Sequence, residues 1–341
     1  MTKNVRSMAR RYETEFDSAD STSRINASVW WSENPLDTVV SPKGVVQIVH
    51  GMAEHIERYD EFARFLVDAG YLVCGHNQIG HGASAPKERW GCLPARGGRQ
   101  ILVEDVHSLR KLVTKRVRNG TPHYVFGHSM GSFITRSYIS RYGGGLAGAI
   151  ICGTGFVPVA TSRAGRTLAR IISRLRGEDH KSELLHSMAD GSYSKALEGA
   201  KTDFDWLSRN EENVKRYMAD EACGFMFSAG GYATLTDLTA EVCTLECAQR
   251  VPHQLPLLFI AGAEDPVGDM GEGVTKAADL ARQAGSADVT CKIYHGMRHE
   301  ILNEKDRRLV FGDVLAWLDD RTKVADETRA IFMPAKTPEE A

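Results

Sequence analysis

Apolar and polar positions fall in blocks whose period changes along the chain. Val45–His50 (VVQIVH), Tyr71–His76, His123–Phe126 and Leu146–Cys152 are short apolar runs rich in β-branched or aromatic residues, which predicts buried strands. Between them, 59–69, 102–118 and 132–142 space their apolar residues three and four apart, which predicts amphipathic helices. Residues 11–18 and 24–31 read as an opening pair of strands, ended by Asn34-Pro35. After Gly155 the rhythm breaks, and to about Gly231 the pattern is helical and polar. Helix 238–249, strand 255–262, helix 273–283, strand 289–294 and helix 307–318 then restore the alternation. Such alternation over short links predicts an α/β fold, a mostly parallel central sheet flanked by helices. The interruption predicts a helical cap, 156–230, inserted after the sixth strand between core segments 1–155 and 231–322. It is expected over the carboxyl ends of the strands, where such sheets bind ligands. A polar tail, 323–341, follows.

Composition narrows the function classes. At 341 residues, 42% hydrophobic and 25% charged, the chain is an ordinary globular one. A net charge of −2 gives no reason to expect nucleic acid as a partner. The N-terminal MTKNVRSMARRYETEF lacks the apolar stretch of a signal peptide, and LAGAIICGTGFVPVA is too short and glycine-rich to span a bilayer. The seven cysteines are scattered without a C-x-x-C pair, as suits a reducing cytoplasm. No histidine spacing matches a metal site, because Gly296 argues against a helix that would align His295 with His299. No metal and no cofactor are expected.

The chemistry begins at Gly127-His128-Ser129-Met130-Gly131. This G-x-S-x-G sits between a predicted strand and a predicted helix, the setting in which glycines let the two approach and hold a serine on a sharp turn. A serine nucleophile needs a base, an orienting acid and donors for the oxyanion. Asp265 follows the strand LLFIAG, with Glu264 and Asp269 as local rivals. His299 follows the last strand in a loop after Gly296, whereas His295 still belongs to the strand end. The order Ser129, Asp265, His299 is that of α/β-hydrolases. Backbone N–H groups of Met130 and of Met52, in the loop His50-Gly51-Met52-Ala53-Glu54-His55, are the candidate oxyanion donors.

The stretches HGMAEHIERYDEFARFLVDAGYLVCGHNQIGHGAS, GHSMGS, LLFIAGAEDPVG and IYHGMRHEILNE together resemble the monoacylglycerol lipase and lysophospholipase branch of the α/β-hydrolase superfamily, a branch grouped with the serine aminopeptidases. The resemblance runs over roughly residues 25–320, and CGFMFSAGGY in the insertion is similar to bacterial members. It implies Ser129, Asp265 and His299 as a triad and Met52 and Met130 as the oxyanion hole, but it does not fix the substrate, since the branch includes lipases, esterases, thioesterases and some aminopeptidases; a small ester bearing an acyl chain is expected. It leaves open an aminopeptidase reading, which needs an anionic subsite that Glu54, Asp190, Asp203, Asp205 or Asp220 would supply. A non-catalytic hydrolase-fold binding protein is the third reading. The loop NQIGHGAS and His50, His55, His76, His81 and His128 are expected to be scaffold. Phe225, Met226 and Phe227 are candidates for the acyl site. Arg163, Arg166, Arg170 and Arg174 recur at helical spacing opposite Ala164, Leu168, Ile171, Ile172 and Leu175. That stripe fits a lid helix with solvated arginines, or peripheral membrane contact through the cap.

Overall fold

A computed structural model describes residues 9–189 and 193–332 of the chain. In chain order the core begins with β1 (Arg10–Asp17), β2 (Arg24–Trp31), β3 (Gly44–Val49), α1 (Asp60–Asp68), β4 (Tyr71–His76) and α2 (Gly98–Thr114). It continues through β5 (His123–His128), α3 (Met130–Tyr142) and β6 (Gly148–Cys152). The eight strands make one sheet in the order β1-β2-β4-β3-β5-β6, then β7 (Leu257–Gly262) and β8 (Val289–Tyr294). β1 pairs antiparallel with β2 and β2 antiparallel with β4, while every other neighbour is parallel.

Strand periodicity sets the two faces. Val125 points into a core with Leu102, Phe133 and Phe259, while Tyr124 and Phe126 point the other way, toward Phe62, Phe311 and Trp317. Because both faces are covered, β3 to β7 are buried along their whole length. This explains why they read as unbroken apolar runs rather than as alternation.

Between β6 and β7 lie α4 (Val159–Arg176), α5 (Glu183–Ala189), α6 (Glu211–Ala219), α7 (Ala229–Val242) and α8 (Leu245–Gln249). Up to α7 the described residues hold helices, turns and a single bridge, Lys181 to Ser228. Several boundaries differ from the expectation. The helix expected over 238–249 is two helices, parted where the Thr244 side chain caps α8 by accepting the Cys247 N–H at 3.2 Å. α7 also starts earlier, because Ser228 caps it and Gly230 lets it press against the Leu93 carbonyl oxygen. The last two helices are α9 (Glu272–Gln283) and α10 (Arg307–Phe332). α10 runs past Leu318 into the tail, since 319–332 contains no glycine or proline to end it. Residues 333–341 lie outside the described part of the chain.

Candidate active site

Ser129 sits between β5 and α3 with φ 55° and ψ −122°, a backbone setting few non-glycine residues adopt. The flanking glycines make it attainable. A methyl group on Gly131 would run into the backbone oxygens of Val49 and His50, so the start of α3 lies directly against the end of β3. One on Gly127 would strike the Gly131 carbonyl and the Thr135 hydroxyl. Gly131→Ala is therefore expected to cost about 2–3 kcal/mol of stability, measured as a lower urea midpoint.

Asp265 and His299 arrive from the ends of β7 and β8, and both are buried. The His299 Nδ1–H donates to Asp265 Oδ2 at 2.8 Å, and the other carboxylate oxygen accepts the Val267 N–H at 2.9 Å. That leaves His299 Nε2 buried without a partner among the described residues, on the same cavity wall as Ser129. The local rivals point elsewhere. Glu264 pairs with Arg209 at 2.8 Å, Asp269 lies near Lys276 on the surface, and His295 is exposed.

The loop after β3 abuts the nucleophile, since a Cβ on Gly51 would lie 3.1 Å from the Ser129 Cβ. Its amides are shared out. Gly51 N–H donates to Glu54 Oε1 at 2.5 Å and Ala53 N–H to His81 Nε2 at 3.4 Å. Met52 lies between them on the cavity wall, beside Met130 at the first position of α3, where a backbone N–H has no helical partner. The loop NQIGHGAS braces this turn from below: Gln78 bonds both the His50 ring and the His50 carbonyl. Burial pushes His50 down to about 4 and His81 to about 3, so both are neutral props.

The cavity over Ser129 holds about 1020 Å³. Phe133 and Val267 contribute from the core, and Leu168, Leu185, Phe225 and Leu235 from the α4–α7 region. Of the three candidates at 225–227, the structure brings Phe225 alone to the cavity. Phe227 is fully buried against His81 and Tyr232, and Met226 offers its carbonyl to Lys181. On α4, Ala164 and Leu168 face the cavity. Arg166 and Arg170 are not simply solvated: Arg166 bonds Asp237 at 2.5 Å and Arg170 the Ala95 carbonyl at 3.1 Å.

Several contributors escaped the sequence reading. Trp206 lays its ring 5.1 Å from that of His299, and the carbonyl of Leu207 accepts the Glu300 N–H at 2.7 Å. The Tyr217 hydroxyl and Gly224 N–H both donate to the Ala53 carbonyl at 2.9 Å. The segment 205–224 thus holds both loops of the site.

Among the acids weighed for an anionic subsite, Glu54 and Asp203 line the cavity, Asp205 caps its own turn and Asp220 bonds His55; Asp190 lies outside the described residues. His55, Asp220 and Cys223 are the group of metal-ligand types that converges among the described residues. There the imidazole is already held between the carboxylates of Glu57 and Asp220, at 2.7 and 2.8 Å, which accounts for the group as an ion pair. No helix of the described residues is long and apolar enough to cross a membrane.

Comparison with known proteins adds to this geometry. Residues 40–306 match the family described as serine aminopeptidase, S33. A monoacylglycerol lipase of Mycolicibacterium smegmatis is 28% identical over 306 residues, 86% of this chain and 92% of that protein. The human monoglyceride lipase is 26% identical over 84% of this chain and 85% of its own length. A thermostable carboxyl esterase from Bacillus coagulans, solved with glycerol, superposes with a TM-score of 0.82 at 30% identity, covering 92% of this chain and 99% of that one. The sheet order, the helices on both faces and this likeness make the fold that of an α/β-hydrolase.

Proposed function

Because the chain belongs to the serine aminopeptidase, S33 family, we propose that it is a carboxylic-ester hydrolase acting through Ser129 on monoacylglycerol-like or lysophospholipid-like substrates. His299 Nε2 takes the proton from Ser129 Oγ as it attacks the ester carbonyl, and Asp265 holds the imidazole and stabilises its protonated form. The N–H groups of Met52 and Met130 receive the oxyanion, each contributing about 3 kcal/mol in sites of this kind. The alcohol leaves with the proton from His299, and water activated by the same nitrogen hydrolyses the acyl-enzyme. No cofactor enters.

The observation that carries the reading is the apolar cavity of about 1020 Å³ ending at Ser129 beside the unpartnered His299 nitrogen. It is large enough for an acyl chain. A series of monoacylglycerols of increasing acyl length tests it, with an aminoacyl anilide as the competing substrate. Turnover of the glycerides and none of the anilide is expected. The reverse would move the reading to an aminopeptidase using Asp203, and turnover of neither to a binding protein. Phe225→Ala is expected to lower kcat/KM about 10-fold for long acyl chains and to leave short esters unchanged, measured by steady-state kinetics.

The same proposal includes a cytoplasmic protein with reduced cysteines that touches lipid surfaces. Ile171 and Leu175 on α4 are 50% and 75% exposed, and Leu184 and Met188 on α5 are 55% and 61% exposed. Arg163, Arg174 and Arg176 are also exposed on α4. Apolar pairs beside basic residues suit an anionic bilayer. Leu175→Asp is expected to reduce co-sedimentation with anionic vesicles while leaving hydrolysis of a soluble ester intact.

A further inference from the structure

We propose that His128 is an imidazolium at neutral pH, paired with Glu54, that positions the base-bearing loop and the oxyanion loop relative to Ser129. The inference rests on the hydrolase reading above and adds to it a positioning residue next to the nucleophile.

His128 is buried, with Nδ1 3.2 Å from Glu54 Oε1 and Nε2 3.3 Å from the backbone oxygen of His299. A carboxylate and a carbonyl only accept, so the ring must donate from both nitrogens, and only the charged form can. The neighbouring histidines make the contrast. His50 meets one acceptor, the Gly51 carbonyl, and one donor, the Gln78 N–H. His81 likewise meets the Ile79 carbonyl and the Ala53 N–H. Each of those rings is satisfied neutral.

Charge balance gives the same answer independently. Arg58 bonds Glu54 at 2.8 Å and holds Glu300 with both of its amino groups, at 2.5 and 2.7 Å; Asn213 completes Glu300 at 2.6 Å. Two buried carboxylates against one guanidinium leave an excess negative charge, which the interior does not tolerate unpaired. A protonated His128 cancels it. Burial works against a charged ring, yet the hydrogen bond and charge of Glu54, with the charge of Glu300, lift His128 above its ordinary value. Burial likewise opposes Glu54, but His128 and Arg58 hold its carboxyl well below the usual range.

The placement gives the charge its use. His128 precedes Ser129 in the chain, its ring lies 4.8 Å from that of His299, and it holds the His299 backbone oxygen. Its counter-ion Glu54 holds the Gly51 N–H and the Tyr59 hydroxyl. The groups facing the ring are thus Glu54 from the loop after β3, Tyr59 ahead of α1, and His299 from the loop after β8, with Arg58 and Glu300 completing the cluster. Above the ordinary histidine value of 6.5 the folded state keeps this proton while the unfolded chain loses it. The stability it contributes is present in full below that value and is lost as pH rises through the elevated one.

Nitrogen-15 NMR of the histidine-labelled full chain, assigned with His128→Asn, tests the charge, and a pH profile of kcat tests its use. Both ring nitrogens of His128 are expected to be protonated at neutral pH. His128→Asn is expected to lower kcat roughly 100-fold at unchanged KM, as small misplacements of reacting groups do. Glu54→Gln is expected to move the alkaline fall in kcat to lower pH, a shift that lost packing alone would not cause. An unprotonated ring nitrogen at neutral pH would overturn the proposal, as would a wild-type kcat and pH profile in His128→Asn. If the wild type hydrolyses no ester, the hydrolase reading fails, while the NMR result still decides the charge.

Discussion

Ser129→Ala is expected to lower kcat for ester hydrolysis by roughly a millionfold, the loss seen when the nucleophile of an assembled triad is removed. The size of the effect follows from where the chemistry is concentrated. His299 Nε2 is buried without a partner among the described residues, and Ser129, held on a strained turn, lines the same cavity. The substitution also removes little packing. The altered chain should keep wild-type circular dichroism and urea midpoint while turnover of a monoacylglycerol falls to background, and retention of even a few per cent of kcat would mean that another residue attacks the ester.

The second large effect is expected at Asp265. Asp265→Asn should lower kcat about 10,000-fold, through the tautomer of His299 rather than through loss of a charge alone. The carboxylate accepts the His299 Nδ1–H at 2.8 Å, which keeps Nε2 free of a proton and able to receive one. The second carboxylate oxygen is held by the Val267 N–H, so the replacement amide keeps its oxygen there and turns its NH₂ toward the imidazole. His299 would answer by accepting at Nδ1 and carrying its proton on Nε2, where it cannot act as a base. Steady-state kinetics with a soluble ester measures this at unchanged fold. A loss of less than about tenfold would assign the orienting role to another group.

Strands β3 to β7 and the turn at Ser129 were legible in the sequence because burial on both faces writes itself as consecutive apolar residues. Asp265 and His299 were legible because parallel strands deliver their carboxyl ends to one rim, so position after a strand is itself a spatial coordinate. The stretch between β6 and β7 wrote no such code. Trp206 reaches His299 and Tyr217 reaches Ala53 from helices and turns whose mutual placement depends on contacts far apart in the chain. Phe225 and Phe227 look alike as a pair of aromatics, yet one lines the cavity and the other is packed beneath it. The start of α7 was hidden for a different reason. Glycine has low helix propensity, yet in the fold Gly230 lets α7 approach Leu93 and the Gly231 N–H donates to its cap, Ser228.

Ester hydrolysis requires Ser129 to be an activated nucleophile, and a fluorophosphonate probe reads that without requiring the natural substrate. Purified wild-type protein and Ser129→Ala would be treated with the probe, digested and mapped by mass spectrometry. One adduct is expected, on Ser129, absent from the variant and from wild type unfolded beforehand. Folded wild-type protein that takes up no probe, or takes it up at another residue, would contradict this role for Ser129.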